Sequence, residues 1–183
     1  RHTPYAQVID RAGRIATGLI DRGIERGTPV GLLMVNGPDL LTLAFAVFAA
    51  GGVVVPLNAH APRPELAATA RKAHVAAVIA SEPYAATGAN LIEDLGGTGR
   101  FPLFVPGADD GTSVAALERY SIGNLPKLGP DDPALYMFSS GSTGIPKVVP
   151  HTHGELDIDA RNSRERGLNL PDDIQINMMP GSH

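Results

Sequence analysis

Nine residues, Ser139-Ser140-Gly141-Ser142-Thr143-Gly144-Ile145-Pro146-Lys147, hold four hydroxyls, two glycines and one lysine. Glycines let a backbone approach a ligand closely, so that consecutive amide groups form a concave anion site, and the hydroxyls add donors where phosphate oxygens would lie. Lys147 supplies a compact positive charge, and Pro146 stiffens the exit so that the lysine starts from a defined point. The partner that this grouping suits is a nucleotide polyphosphate or pyrophosphate.

Three other readings of the segment compete. Ser, Gly, Thr and Pro also make ordinary exposed loops, but here their order, the terminal Pro-Lys and the apolar run on either side argue against a bland loop. A Walker loop needs its lysine after glycine and a helix afterwards, whereas Lys147 follows proline and leads into Val148-Val149-Pro150, which favours extended chain. A dinucleotide fingerprint needs a third glycine, and Gly97-Thr98-Gly99 runs on to Arg100-Phe101-Pro102 without one.

The elements around the segment must place it. Ala134 to Phe138 reads as a strand that feeds the loop. Upstream, residues 5–23 carry Val8, Ala12, Ile15, Ala16 and Leu19 at helical spacing, ended by Gly23 and Gly27. Val30 to Val35 reads as a buried strand, about Asp39 to Ala50 as a helix, Val53 to Val55 as a strand, Glu65 to Ala73 as a helix and Val75 to Ala80 as a strand. Beyond Glu82 the pattern weakens, through Leu91 to Leu95 and a short strand at Phe101 to Val105, and residues 107–132 read as connecting surface. This alternation predicts an α/β fold, a largely parallel sheet with helices on both faces, because parallel neighbours need a helical crossover.

Composition narrows the class. The chain has 183 residues, 43% of them hydrophobic and 19% charged, with a formal charge of -4. Without a basic run there is no electrostatic footprint for nucleic acid. The absence of cysteine excludes disulfide scaffolds, thiolate metal sites and cysteine nucleophiles, and leaves a cytoplasmic location favoured. No stretch reaches the roughly 18 apolar residues of a membrane span. The low charge and the abrupt ends at Arg1 and at Pro180-Gly181-Ser182-His183 lead us to expect part of a larger body whose exterior is partly covered. Homo-oligomerisation stays open.

Ser139 to Lys147 resembles the phosphate-binding signature of the adenylate-forming superfamily, which includes acyl- and aryl-CoA ligases and the adenylation domains of nonribosomal peptide synthetases. Three weaker similarities fall in the order of that family: Tyr5 to Gly18 with its first helix, Ala49 to Leu57 with its glycine-valine-proline-leucine segment, and Pro180 to His183 with its proline-x-x-histidine motif. The resemblance implies the large amino-terminal domain of such an enzyme. Residues 1–133 would form a β-α-β subdomain, and 134–183 the phosphate-loop strand, the loop and the following helix and strand; the small carboxy-terminal domain would be absent.

The implied reaction activates a carboxylic acid with ATP and Mg2+, releases pyrophosphate, and passes the acyl group to the thiol of CoA or of a carrier protein's phosphopantetheine arm. By resemblance Ser140, Gly141, Ser142, Thr143 and Gly144 would hold phosphates, with Ser139 at the loop entrance. Lys147 would be the catalytic cation beside the leaving pyrophosphate, and His183 would border the acid pocket. Val148 stands where the family commonly has glycine, and Val149-Pro150-His151-Thr152-His153 resembles the branch that activates aryl acids. A fragment of this kind is expected to be inactive alone. The alternative is a noncatalytic anion-binding or interaction module that kept the loop.

His151 and His153 also invite a metal reading, but Thr152-His153-Gly154-Glu155 fits a helix capping box better. Asp157 with Arg161 reads as a solvated helix face, and His60 and His74 as surface or loop residues. No metal ligand is assigned.

Overall fold

The structure, a computed structural model, describes residues 3–97, 103–104, 113–139 and 146–167. Its elements run α1 (Tyr5–Asp21), β1 (Pro29–Leu33), α2 (Pro38–Ala49), β2 (Val53–Pro56), α3 (Arg63–Lys72), β3 (Ala77–Ala80), a 3-10 turn (Glu82–Tyr84), α4 (Ala85–Leu95), β4 (Leu103–Phe104), α5 (Val114–Leu117), β5 (Pro133–Ser139), β6 (Lys147–Thr152) and α6 (His153–Glu165). The elements read from periodicity are present, with ends moved by one to two residues in most cases. The strand read over Phe101 to Val105 is described only at Leu103–Phe104, and the strand expected after the last helix lies outside the described residues.

The sheet order is β4-β3-β1-β2-β5-β6. Every neighbouring pair is parallel except the last, β5 with β6, which is antiparallel. Side chains alternate between the faces along each strand, as the pleat requires. Val30, Leu32, Ala77 and Ile79 join one core with α1, α2 and α5. Leu33, Val78 and Ala80 join the other with α3 and α4.

Handedness explains this division. The two crossovers that move toward β6, from β1 to β2 and from β4 to β5, carry α2 and α5 on one face. The two that move the other way, from β2 to β3 and from β3 to β4, carry α3 and α4 on the opposite face. A right-handed crossover allows no other arrangement.

The helices α1, α2 and α3, like α4 with Gly97 donating to Ile92 and Gly96 to Glu93, end in the same way. After α1 the Ile24 N–H donates to the Leu19 carbonyl at 3.0 Å, and that of Gly23 to Ile20 at 3.0 Å. After α2 Gly52 donates to Val47 and Gly51 to Phe48, and after α3 Val75 donates to Ala70 and His74 to Arg71. Each is the reciprocal pair of a left-handed helix stop. Gly23 and Gly51 take positive φ there without a Cβ penalty, while His74 takes φ 53° despite its side chain.

Two readings are corrected. The weak helical signal at Leu91 belongs to a longer helix that begins at Ala85. Residues 107–132 are more than connecting surface, since within them α5 buries Val114 and Leu117 against α1. Ser113 caps α5 by accepting the Ala116 N–H at 3.0 Å. Arg11 ties the layer together, donating to Glu118 at 2.6 Å and to Asp39 at 3.0 Å. Among the described residues no helix is long and apolar enough to cross a membrane.

Candidate phosphate-binding site

The two ends of the segment, Ser139 and Lys147, lie on β5 and β6. Ala134 to Phe138 make β5 because an apolar and aromatic run fits a pleated surface, with Ala134 fully buried and Tyr136 and Phe138 packed on the α3/α4 core. Pro150 has no N–H to offer a ladder, which suits β6 as the end strand of the sheet. Because β5 runs parallel to β2, Ser139 emerges at the carboxyl end of the parallel strands, where open α/β sheets bind ligands.

The ladder runs from Pro133 opposite Thr152 to Ser139 opposite Lys147. Directly opposed residues of an antiparallel pair keep their Cα atoms about 5 Å apart, so the lysine stem starts beside the serine. Both residues are exposed, and Pro146 before the lysine is half-buried. Ser140, Gly141, Ser142, Thr143, Gly144 and His183 lie outside the described residues.

At the other end of the hairpin the capping box is formed. The Glu155 N–H donates to the Thr152 hydroxyl at 3.2 Å and the Thr152 N–H to the Glu155 carboxylate at 2.9 Å. His151 Nδ1 lies 3.6 Å from the same carboxylate. Among the described residues no group of three or more His, Cys, Asp or Glu side chains could hold a metal ion. Asp157 and Arg161 pair at 2.7 Å on an exposed face, His74 is exposed, and His60, also exposed, meets the Tyr84 hydroxyl at 3.1 Å.

Sequence reasoning missed the contacts of two residues at this end. The His153 ring stands edge-on to Phe48 with centroids 5.5 Å apart, and its Nε2 is enclosed without a hydrogen-bond partner. Burial pushes its pKa down, against the pull of the Asp132 charge. His153 lines an apolar groove of about 520 Å³ together with Ile9, Phe45 and Ile122. Helical spacing placed Ile9 on α1 but could not show that a ring from beyond β6 reaches α2.

Asp132 is the second. Its carboxylate, 11% exposed, accepts from Arg26 Nε at 2.9 Å and Nη2 at 2.5 Å, and from the Gly129 N–H at 2.6 Å. The Gly129 hydrogen bond, followed by Arg26, holds the carboxyl below its ordinary range. Its carbonyl accepts the His153 N–H at 2.9 Å, and the Pro130 carbonyl accepts that of Gly154 at 2.8 Å. The only signal was the Asp131-Asp132-Pro133 turn chemistry ahead of a strand.

Comparison with known proteins agrees with this geometry. The model of the AMP-binding enzyme family matches residues 1–183. Salicylyl-CoA synthase / salicylate adenylyltransferase from Streptomyces is 29% identical over 197 residues, covering 98% of this chain and 35% of that protein. Feruloyl-CoA synthase from Amycolatopsis is 38% identical over 152 residues, covering 83% of this chain and 28% of that protein. Among solved structures, ATP-bound MatB from Rhodopseudomonas palustris superposes with a TM-score of 0.81 at 28% identity, covering 98% of this chain and 35% of that one. The chain thus spans about a third of the length of these three proteins. A mostly parallel sheet that places Ser139 and Lys147, the two ends of the serine-glycine-threonine segment, at the carboxyl end of β5 is consistent with the family match along the whole chain, which shows that this chain belongs to the AMP-binding, adenylate-forming enzymes.

Proposed function

We propose that this chain is the amino-terminal part of an ATP-dependent acid-thiol ligase. A carboxylate oxygen attacks the α-phosphorus of ATP-Mg, an acyl-oxygen-phosphorus bond forms, and the bond to pyrophosphate breaks. A thiol of CoA or of a carrier arm then attacks the acyl carbon, and AMP leaves with the electron pair. The magnesium ion enters as part of the substrate. One observation carries this reading: Ser139 and Lys147 stand opposite each other at the carboxyl end of the parallel sheet, at the two ends of the loop.

In this reading Ser140, Gly141, Ser142, Thr143 and Gly144 donate to the β- and γ-phosphates, with Ser139 at the entrance. Lys147 lies beside the departing pyrophosphate, where negative charge builds and a preorganised cation lowers the barrier. His183 borders the acid. Residues 1–133 serve as the β-α-β support and 134–183 as the phosphate-loop segment. The activity needs polypeptide beyond this third, so the 183 residues alone do not turn over. The exposed apolar groove beside His153 supports such a covered exterior. Its substrates, ATP and CoA, suit a cytoplasmic enzyme.

The acid is aromatic in this proposal. The segment Val149 to His153 resembles the aryl-activating branch, and two of the relatives are named for salicylyl and feruloyl groups. Acid-dependent exchange of labelled pyrophosphate into ATP by the full-length enzyme tests the reading.

A further inference from the structure

The β5–β6 hairpin joins the parallel sheet through a short stretch of backbone register. Its junction with the parallel strands is registered at Val54 opposite Leu135. The ladder to β6 shifts register between Pro133 and Leu135, so backbone pairing is interrupted at the base of the hairpin, where its tilt is set. The connections of Asp132 meet at that base. Its carbonyl binds the first residue of α6, just after β6, and its carboxylate binds Arg26, in the turn that leads into β1. The Arg26 backbone lies close against Gly51, where a Cβ would be 3.3 Å from the Arg26 Cα.

Gly154 completes the bracket by close approach. A Cβ there would lie 2.9 Å from the Pro130 carbonyl oxygen and 2.9 Å from its Cβ. Backbone cannot move aside as a flexible side chain can, so any larger residue would push α6 and β6 away from the turn before β5. Nothing but glycine lets both ends of the hairpin meet the same turn.

We infer that Asp132, bound to Arg26 and backed by the contact of Gly154 with Pro130, is a positioning residue that sets the tilt of the phosphate hairpin. This rests on the acid-activating reading above. The hairpin acts as a lever. Seven residues of β5 extend roughly 20 Å at about 3.3 Å each, so a tilt of about 3° at Asp132 moves the loop end by about 1 Å. A misplacement of about 1 Å can cost up to about 100-fold in rate. The Asp132 carboxylate reaches the chemistry only through the strands.

The experiment is steady-state ATP–pyrophosphate exchange by the full-length enzyme, wild type against Asp132→Asn, Arg26→Gln and Gly154→Ala, at a temperature where circular dichroism shows each variant folded. Asp132→Asn keeps the size of the side chain but turns one acceptor into a donor. It is expected to raise the ATP KM and lower kcat, together by about tenfold in kcat/KM, with the acid KM within about twofold. Arg26→Gln should move the same constants by less. Its side chain is 60% exposed, so this variant carries the test if Asp132→Asn does not fold. A role in stability alone would lower kcat with the folded fraction and leave both KM values unchanged. That result, or an unaltered ATP KM in folded Asp132→Asn and Arg26→Gln, would overturn the positioning role. A wild-type enzyme without acid-dependent exchange would overturn the reading beneath it and this inference together.

Discussion

Lys147 stands directly opposite Ser139 as the last pair of the β5–β6 ladder, so the Cα atoms of the lysine and of the first serine of the phosphate segment are held one strand spacing apart. A lysine whose backbone is already held by a ladder has only its side chain left to order against a ligand, whereas one on an unpaired segment must order its backbone as well. In the proposed reaction, the pairing starts the Lys147 side chain from a fixed point at the loop's exit.

Lys147→Ala removes that charge without touching the ladder, which is made by backbone. Adenylation by the full-length enzyme is expected to slow by about 100-fold, the usual cost of removing one preorganised stabiliser of developing charge. Single-turnover pyrophosphate release measures it. An unchanged rate would take Lys147 out of the mechanism.

His153 gives the fold a pH dependence of known sign. Burial lowers its pKa in the folded state, so below about pH 6.5 the unfolded chain binds more protons at this ring than the folded one. The stability that depends on the neutral ring is complete above that pH and is lost as the pH falls toward the lowered folded value. The urea midpoint of the 183-residue chain is expected to drop between about pH 7.5 and about pH 5.5, and to drop less in His153→Phe, which keeps a ring against Phe48 without the enclosed Nε2. Equal drops in the two proteins would assign the effect to other groups.

His74 occupies the position after α3 that glycine fills after α1 and α2, with φ 53°. A left-handed L-residue costs about 1 kcal/mol or slightly more. Because His74 is exposed, His74→Gly loses no buried contact. The substitution is expected to stabilise the chain by about 0.5–1 kcal/mol after the extra freedom of glycine in the unfolded state is counted. Urea denaturation reads the gain, and a loss of stability would mean that the His74 side chain makes a contact worth more than the strain.

Leu117 tests the element that composition concealed. It is fully buried, and a Cβ on Gly18 of α1 would lie 2.9 Å from its Cδ2. Leu117→Ala leaves a cavity in a layer with little slack and should cost about 3 kcal/mol in chemical denaturation. A cost under about 1 kcal/mol, the ordinary scale of a surface change, would return residues 113–118 to connecting surface.

These residues also mark what the sequence could and could not disclose. The α1 stripe and the β1, β2 and β3 runs were legible because a single period repeats long enough to exceed noise. The capping box at Thr152 was legible because both partners sit within four residues. Leu117 was hidden because four helical residues show no period, and only the closeness of Gly18 makes their burial evident. Asp132 was hidden because its partner Arg26 is 106 residues away. The aim of the His153 ring at Phe48 was hidden for the same reason, since a contact across the sheet's end leaves no local trace. Chemistry packed into one loop can be read along the chain, whereas its supports are assembled from distant parts.

The claim that this chain belongs to an enzyme that activates carboxylic acids is tested most directly by ATP–pyrophosphate exchange with the full-length enzyme over a panel of aromatic and aliphatic acids. The expected result is exchange that depends on added acid, strongest with an aromatic one, and absent from the isolated 183 residues. Exchange no higher than the acid-free blank with every member of the panel would contradict it.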